Sequence, residues 1–155
     1  MNHIVVIGGG IGGMFIAAAA MSFKSADREL IEWYKRQMVK LGINVHLNTE
    51  VTQEMLDEMK ADEIFVCTGS KPRELNLPGA EEEYVINAVD ALLNPEKVKG
   101  NIVVVGGGLT GVELAYNQAL LGRKVTILEA MDKILNVNVS AANLKYLYAE
   151  ICIEI

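Results

Sequence analysis

Two segments of the chain repeat one another: HIVVIGGGIGG from His3 and NIVVVGGGLTG from Asn101, offset by 98 residues. Each carries four consecutive branched aliphatic residues that run into clustered glycines, with no polar alternation along the run. A strand exposed on one face would alternate, so such a run suits a strand covered on both faces in a parallel sheet. The chain is therefore expected to be α/β, with two strand-to-glycine units.

Between the repeats, Ser25 or Asp27 can cap a helix whose apolar positions Leu30, Tyr34, Met38 and Leu41 recur at helical spacing, with Gly42 as its stop. A strand, INVHL from Ile43, is expected next. Thr52 then starts a short helix with Met55, Leu56 and Met59 on one side, and EIFVC from Glu63 reads as another buried strand. The stretch from Thr68 to Gly79 is rich in turn residues, and a short helix from Asn87 to Leu93 ends near Pro95. The second half is more regular: strand Ile102 to Val105, helix Leu109 to Leu121 stopped by Gly122, strand Val125 to Leu128, and a helix from about Ser140. That is a βαβ unit with a helix added, and the final ICIEI is expected to open one more strand. The resulting division is a first half over 1–79, a connection over 80–100 and a second half over 101–155.

Composition narrows the partners. The 155 residues hold 14 Lys plus Arg against 20 Asp plus Glu, a net charge of -6, and 51% are hydrophobic. An acidic chain without a basic run is not expected to bind nucleic acid or an anionic membrane. Its longest nearly apolar stretch, Ile11 to Met21, is short of the roughly 20 residues a membrane span needs. The N-terminus lacks the basic region of an export signal, so neither export nor insertion is expected. Cys67 and Cys152 are the only cysteines, which leaves no CxxC redox pair and too few thiolates for an iron–sulfur cluster. A reducing, cytoplasmic compartment fits.

Gly106, Gly108 and Gly111 form G-x-G-x-x-G directly after a strand and at the mouth of a helix, the context that the dinucleotide fingerprint requires. Gly106 permits a tight turn, Gly108 lets backbone approach a pyrophosphate, and Gly111 lets helix pack closely on strand. The amides at the helix start, with Leu109 and Thr110, attract phosphate charge. Glu129 ends the next strand, 18 residues after Gly111, where a carboxylate accepts hydrogen bonds from both hydroxyls of an adenosine ribose. It also repels a 2′-phosphate, and neither Ala130 nor Met131 offers a cation, so NADH is favoured over NADPH. Glu113 either faces the nicotinamide side of the site or is an ordinary helix carboxylate.

Gly8, Gly10 and Gly13 have the same spacing, but no strand ending in an acid follows them. Asp27 and Glu29 lie at a suitable sequence distance, yet they sit at the start of a helix, where acids serve the helix dipole. Between Ile11 and Lys24 there is room for about two to three helical turns and no second strand.

These residues resemble the C-terminal flavin and nicotinamide nucleotide region of the old yellow enzyme-like reductases, the family of 2-enoate reductase and 2,4-dienoyl-CoA reductase. The resemblance spans most of the chain. It is carried by SFKSADRELIEWYKRQMVKLGINVHLNTEVT, by ADEIFVCTGSKPRELNLPG and by NIVVVGGGLTGVELAYNQALLGRKVTILEAMDKIL. It implies an FAD/NAD(P)-binding Rossmann-like fold with a parallel sheet, in which Gly8 and Gly10, with Thr68 and Gly69 of CTGSKP, belong to the FAD site, and Gly13 stands at the third glycine position of the same spacing. Gly106, Gly108, Leu109, Thr110, Gly111 and Glu129 then belong to the NADH site, and Glu113 lies toward the flavin. Cys67 stands where the family usually has a small residue and reads as core.

One departure is specific. GGMFIAAAAMSF, from Gly12 to Phe23, looks more like the family segment after its second strand than like its first helix. About one helix and one strand are missing after Ile11, so Gly13 imitates a fingerprint glycine and the acid for the FAD ribose is lacking. The sheet is accordingly expected to be truncated or to have omitted segments, either because the protein is shortened or because residues are skipped.

The function implied is a flavoprotein oxidoreductase module that passes hydride from nicotinamide C4 of NADH to N5 of FAD. In the resembled enzymes electrons continue through an iron–sulfur cluster to FMN in a separate barrel domain, where an activated alkene is reduced. This chain carries none of that barrel and is not expected to reduce enoates by itself. Two alternatives stand beside it: a non-catalytic nucleotide-binding fragment without flavin, and another flavoprotein reductase of the ferredoxin or rubredoxin type. His3 and His46 are read as core or surface, Met14, Met21, Met38, Met55 and Met59 as core filling, Trp33 and Tyr34 as packing on their helix, and Glu81 to Glu83 as a solvated loop.

Overall fold

A computed structural model describes residues 3–8, 12–69, 71–72 and 76–136. The chain divides into two compact units, one made of Met1–Ala20 and Lys24–Leu75, the other of Met21–Phe23 and Asn76–Ile155.

The first unit runs β1 (Ile4–Ile7), α1 (Gly12–Ala19), α2 (Ser25–Lys40), α3 (Gln53–Met59) and β2 (Glu63–Val66). The two strands pair in parallel, Ile4 opposite Glu63 through Ile7 opposite Val66. The α1 helix spans eight residues, about the two turns that the sequence leaves room for. Arg28 of α2 donates from Nη1 to the carbonyl of Ala19 at 2.6 Å, a cation at the C-terminal end of α1, where the helix dipole favours it. The α2 helix already includes Ser25, and its N-cap position is Lys24, with no side-chain capping bond, so neither Ser25 nor Asp27 caps it. Asp27 instead lies in the first turn, and Gly42 comes after the last, where its amide reaches Val39 and that of Ile43 reaches Met38. Thr52 caps α3 by accepting the Met55 amide at 3.3 Å.

Three further expectations fail in this unit. Ile43–Leu47 forms no strand and its apolar side chains stay exposed, because β1 pairs only with β2 among the described residues and an extended segment without a ladder partner is not held straight. The strands are also not buried on both faces: β2 is exposed along its length, since a two-stranded sheet lacks the neighbouring layers that would cover it. Cys67, expected in the core, is only half-buried.

The second unit contains α4 (Ala88–Leu93), a 3-10 turn (Pro95–Lys97), β3 (Ile102–Val105), α5 (Leu109–Leu120) and β4 (Val125–Leu128). Asn87 caps α4 by accepting the Asp90 amide at 2.9 Å. β3 and β4 are parallel, Ile102 opposite Val125 through Val105 opposite Leu128. The α5 helix ends at Leu120, one residue earlier than expected, and Gly122, with φ 79°, turns the chain so that its amide bonds the carbonyl of Ala119 while the amide of Arg123 bonds that of Gln118. Its buried face sets Val112 against Leu135, with Leu109, Ile127 and Ile134 around them. Each such side chain contributes about 1.5–3 kcal/mol when fully buried.

Three residues from early in the chain belong to this second unit. Met21 is fully buried, Ser22 donates from its amide and hydroxyl to Oδ1 of buried Asn117 at 2.8 and 3.0 Å, and the Phe23 ring lies 5.1 Å from that of Tyr116. The expected helix from Ser140 and the ICIEI strand lie outside the described residues.

Candidate functional site

The glycine loop of the second unit begins where β3 ends. Gly106 donates its amide to the carbonyl of Leu128 at 2.8 Å and turns the chain with φ 108°. A Cβ on Gly111 would meet the Gly106 carbonyl oxygen at 2.0 Å, so the first turn of α5 lies directly on the loop and only glycine fits there. A Cβ on Gly108 would meet nothing within 4 Å. Gly108 is the N-cap of α5 and no side chain caps it, which leaves backbone amides at the start of a 12-residue helix for an anion. Leu109 and Thr110 are the first two residues of that helix, Leu109 packed on the core and Thr110 exposed.

Glu129 follows β4 immediately. Its Oε2 accepts the Gly107 amide at 2.6 Å and its Oε1 accepts the Met131 amide at 2.9 Å. The amides of Met131 and Gly107 hold its carboxyl below the ordinary value of 4.5, so it is ionised at neutral pH. Each oxygen keeps a further acceptor position. Ala130 and Met131, which follow it, are exposed and carry no charge, and Arg123 donates to the side-chain oxygen of Gln118. Glu113 is buried at 8% exposure in α5.

Sequence reasoning missed Gly107. The fingerprint leaves the residue between its first two glycines free, yet a Cβ here would meet Cγ2 of Ile134 at 2.7 Å and Oε2 of Glu129 at 3.2 Å. The signal is the middle glycine of the GGG run, at the position the fingerprint leaves free.

In the first unit, Gly8 has φ 96°, and a Cβ on it would meet the Cys67 carbonyl oxygen at 2.4 Å and Cα of Thr68 at 3.0 Å. The structure thus brings Gly8 and Thr68 together, while Gly69 (φ 76°) has open space around it. Gly13 lies within α1, and Gly10 is outside the described residues.

The two sheets are not equivalent despite the repeat. In β1 the carbonyls of His3 and Ile7 face β2, accepting from Asp62 and Cys67, whereas in β3 Ile102 and Gly106 face β4, donating to Lys124 and Leu128. Successive residues of a strand present their polar groups to alternate edges, and the 98-residue offset maps His3 and Ile7 onto Asn101 and Val105. β2 therefore takes the edge of β1 opposite to the one β4 takes on β3. The edge where a counterpart of Glu129 would arrive is unpaired among the described residues.

Among the described residues no group of His, Cys, Asp and Glu is placed to hold a metal, and no helix is long and apolar enough to cross a membrane. His3, His46 and Glu81 to Glu83 are exposed, and Trp33 and Tyr34 meet edge to face at 5.1 Å.

Residues 52–152 match the family described as pyridine nucleotide-disulphide oxidoreductase. The chain is 36% identical over 129 residues to cinnamate reductase of Clostridium sporogenes, a match that covers 83% of this chain and 19% of that enzyme. It is 27% identical over 177 residues to the ferredoxin–NAD(+) reductase subunit of the benzene 1,2-dioxygenase system of Pseudomonas putida, covering 86% and 43%. Since 86% of 155 residues is about 133, about 44 of those 177 positions have no counterpart in this chain. A solved structure of 2-naphthoyl-CoA reductase with 2-naphthoyl-CoA superposes with a TM-score of 0.76 at 28% identity, over 97% of this chain and 23% of that one. The chain spans less than half the length of each of these relatives.

Proposed function

The chain belongs to the pyridine nucleotide-disulphide oxidoreductase family, and on that premise we propose that it is a flavoprotein oxidoreductase module passing hydride from NADH to FAD within an enoate-reductase-like enzyme. Family and structural neighbour agree on an α/β, Rossmann-like FAD/NAD(P)-binding fold with parallel strands, and FAD and NADH are the cofactors that accompany it.

The observation that carries the reading is the second loop: an uncapped helix N-terminus at Gly108 with no side chain in the way, and an ionised Glu129 beside it. The amides around Gly108, Leu109 and Thr110 hold the NADH pyrophosphate, Gly106 and Gly111 shape the turn, and Glu129 takes the adenosine ribose hydroxyls. Gly8, Gly10, Gly13, Thr68 and Gly69 are assigned to FAD, with the close contact of Gly8 on Cys67 and Thr68 as the support within this chain. Glu113 is assigned to the nicotinamide and flavin side. NADH supplies a hydride and FAD accepts it, and the protein's part is to bind, align and keep water out. On this reading 1–79 is the FAD half, 80–100 the connection and 101–155 the NAD(H) half, in a cytoplasmic protein. A separate domain with FMN and an iron–sulfur cluster would take the electrons onward.

A visible absorption spectrum of the purified chain, before and after anaerobic NADH, tests this. Flavin bands that bleach on addition are expected. A colourless protein that still binds NADH would replace the proposal with the second reading, a nucleotide-binding fragment without flavin. That reading is favoured by the unpaired edge of β1 and by the about 44 positions without counterpart.

A further inference from the structure

The segment after β4 folds back over the glycine loop and takes both backbone groups of Gly107. The amide goes to Oε2 of Glu129 at 2.6 Å, and the carbonyl accepts the Leu135 amide at 2.7 Å. Cγ2 of Ile134 occupies the space where a Gly107 side chain would project. Leu135 reaches this bond in the left-handed region, with φ 57°, while its side chain is buried against Val112. A branched residue at positive φ costs free energy, so the core contact and the bond to Gly107 together hold the closure.

We propose that Gly107 is a specificity-determining position, because the closure of residues 129–135 on it locks the Glu129 carboxylate in one orientation that admits a ribose diol and refuses a 2′-phosphate. The inference rests on the assignment of this loop to a nicotinamide nucleotide and deepens it. A surface glutamate next to a phosphate would ordinarily rotate away or take up a proton. Here the amides of Gly107 and Met131 each hold one carboxylate oxygen, so rotation would break two hydrogen bonds. Each oxygen then presents its remaining acceptor position, and two neighbouring hydroxyls match two fixed acceptors. A phosphate dianion in the same place meets a fixed negative charge with no cation on Ala130 or Met131. The preference for NADH thus depends on how Glu129 is held as well as on its charge.

Dissociation constants for NADH and NADPH, read by isothermal titration calorimetry on the wild-type chain and on two variants, decide the matter. Gly107→Ala pushes against Ile134 and Glu129 and frees the carboxylate. Met131→Pro removes the amide on Oε1 at an exposed residue, outside the glycine loop. Circular dichroism checks that each variant folds. The wild type is expected to favour NADH about 100-fold, and both variants are expected to lower that ratio about tenfold, because a released carboxylate can turn away from a 2′-phosphate. A folded variant that binds both nucleotides more weakly with the ratio unchanged, or that leaves both constants unchanged, overturns the proposal. A wild-type chain that binds neither nucleotide overturns the assignment of the loop and this proposal with it. Strong NADH binding with an unaltered ratio in the variants overturns this proposal alone.

Discussion

The Gly107 amide and Oε2 of Glu129 lie 2.6 Å apart, across 22 residues of sequence. One bond therefore joins the end of β3 to the end of β4 at the mouth of α5, where the proposed nucleotide site brings the loop glycines and the acid together. The carboxylate is an acceptor for the protein's own backbone, and those backbone bonds set its behaviour with pH.

Because these amides hold the Glu129 carboxyl below its ordinary 4.5, the ionised form is the one the fold favours. Its contribution to stability is fully present above the unfolded value and is lost as pH falls from about 4.5 through the lower folded value. Glu129→Gln should remove that part of the acid dependence and weaken NADH binding at pH 7. Urea unfolding midpoints between pH 3 and 7 read the first effect, and NADH titration reads the second.

Gly111→Ala and Gly108→Ala should separate stability from binding. The former places a Cβ 2.0 Å from the Gly106 carbonyl oxygen and should destabilise the second unit by about 1–3 kcal/mol or more. The latter enters open space, so unfolding should move by about 1 kcal/mol or less while NADH affinity falls at least tenfold. Denaturant melts and nicotinamide fluorescence titrations on the same samples distinguish the two.

Gly8→Ala should be worse than Gly69→Ala, although both have positive φ. At Gly69 the cost is conformational alone, about 1–2 kcal/mol. At Gly8 the new Cβ also meets the Cys67 carbonyl oxygen at 2.4 Å, which couples β1 to the chain after β2. Limited proteolysis should show cleavage within the first unit for the Gly8 variant, and its flavin content should fall with it.

Asn117→Leu should cost about 1–3 kcal/mol, because the Ser22 amide is left without its acceptor beside a buried helix face. Ser22→Ala removes only the hydroxyl bond and should cost about 1 kcal/mol. Equal losses in thermal or urea melts would show that the two bonds to Oδ1 do not act as the geometry indicates.

The sequence alone determined most of what depends on neighbours along the chain, the cap of α2 excepted, where neither Ser25 nor Asp27 serves. β3 and β4 begin and end at the residues expected from their aliphatic runs, Thr52 and Asn87 cap their helices, and Gly42 and Gly122 stop theirs, because capping and left-handed turns are settled within four or five residues. The fingerprint glycines and Glu129 were legible for the same reason: their spacing encodes one strand, one turn and one helix. What required the tertiary structure were relationships between distant segments. Ile43–Leu47 has the residues of a strand but no ladder to join, Met21–Phe23 belongs to the second unit through Asn117 and Tyr116, and β2 takes the other edge of β1 from the one the repeat suggests. Gly107 is held by Glu129, Ile134 and Leu135, residues 22 to 28 positions away, and no local pattern encodes that closure. Pairing, burial and closure depend on which surfaces meet in space, whereas a short window of sequence records only the order of adjacent residues.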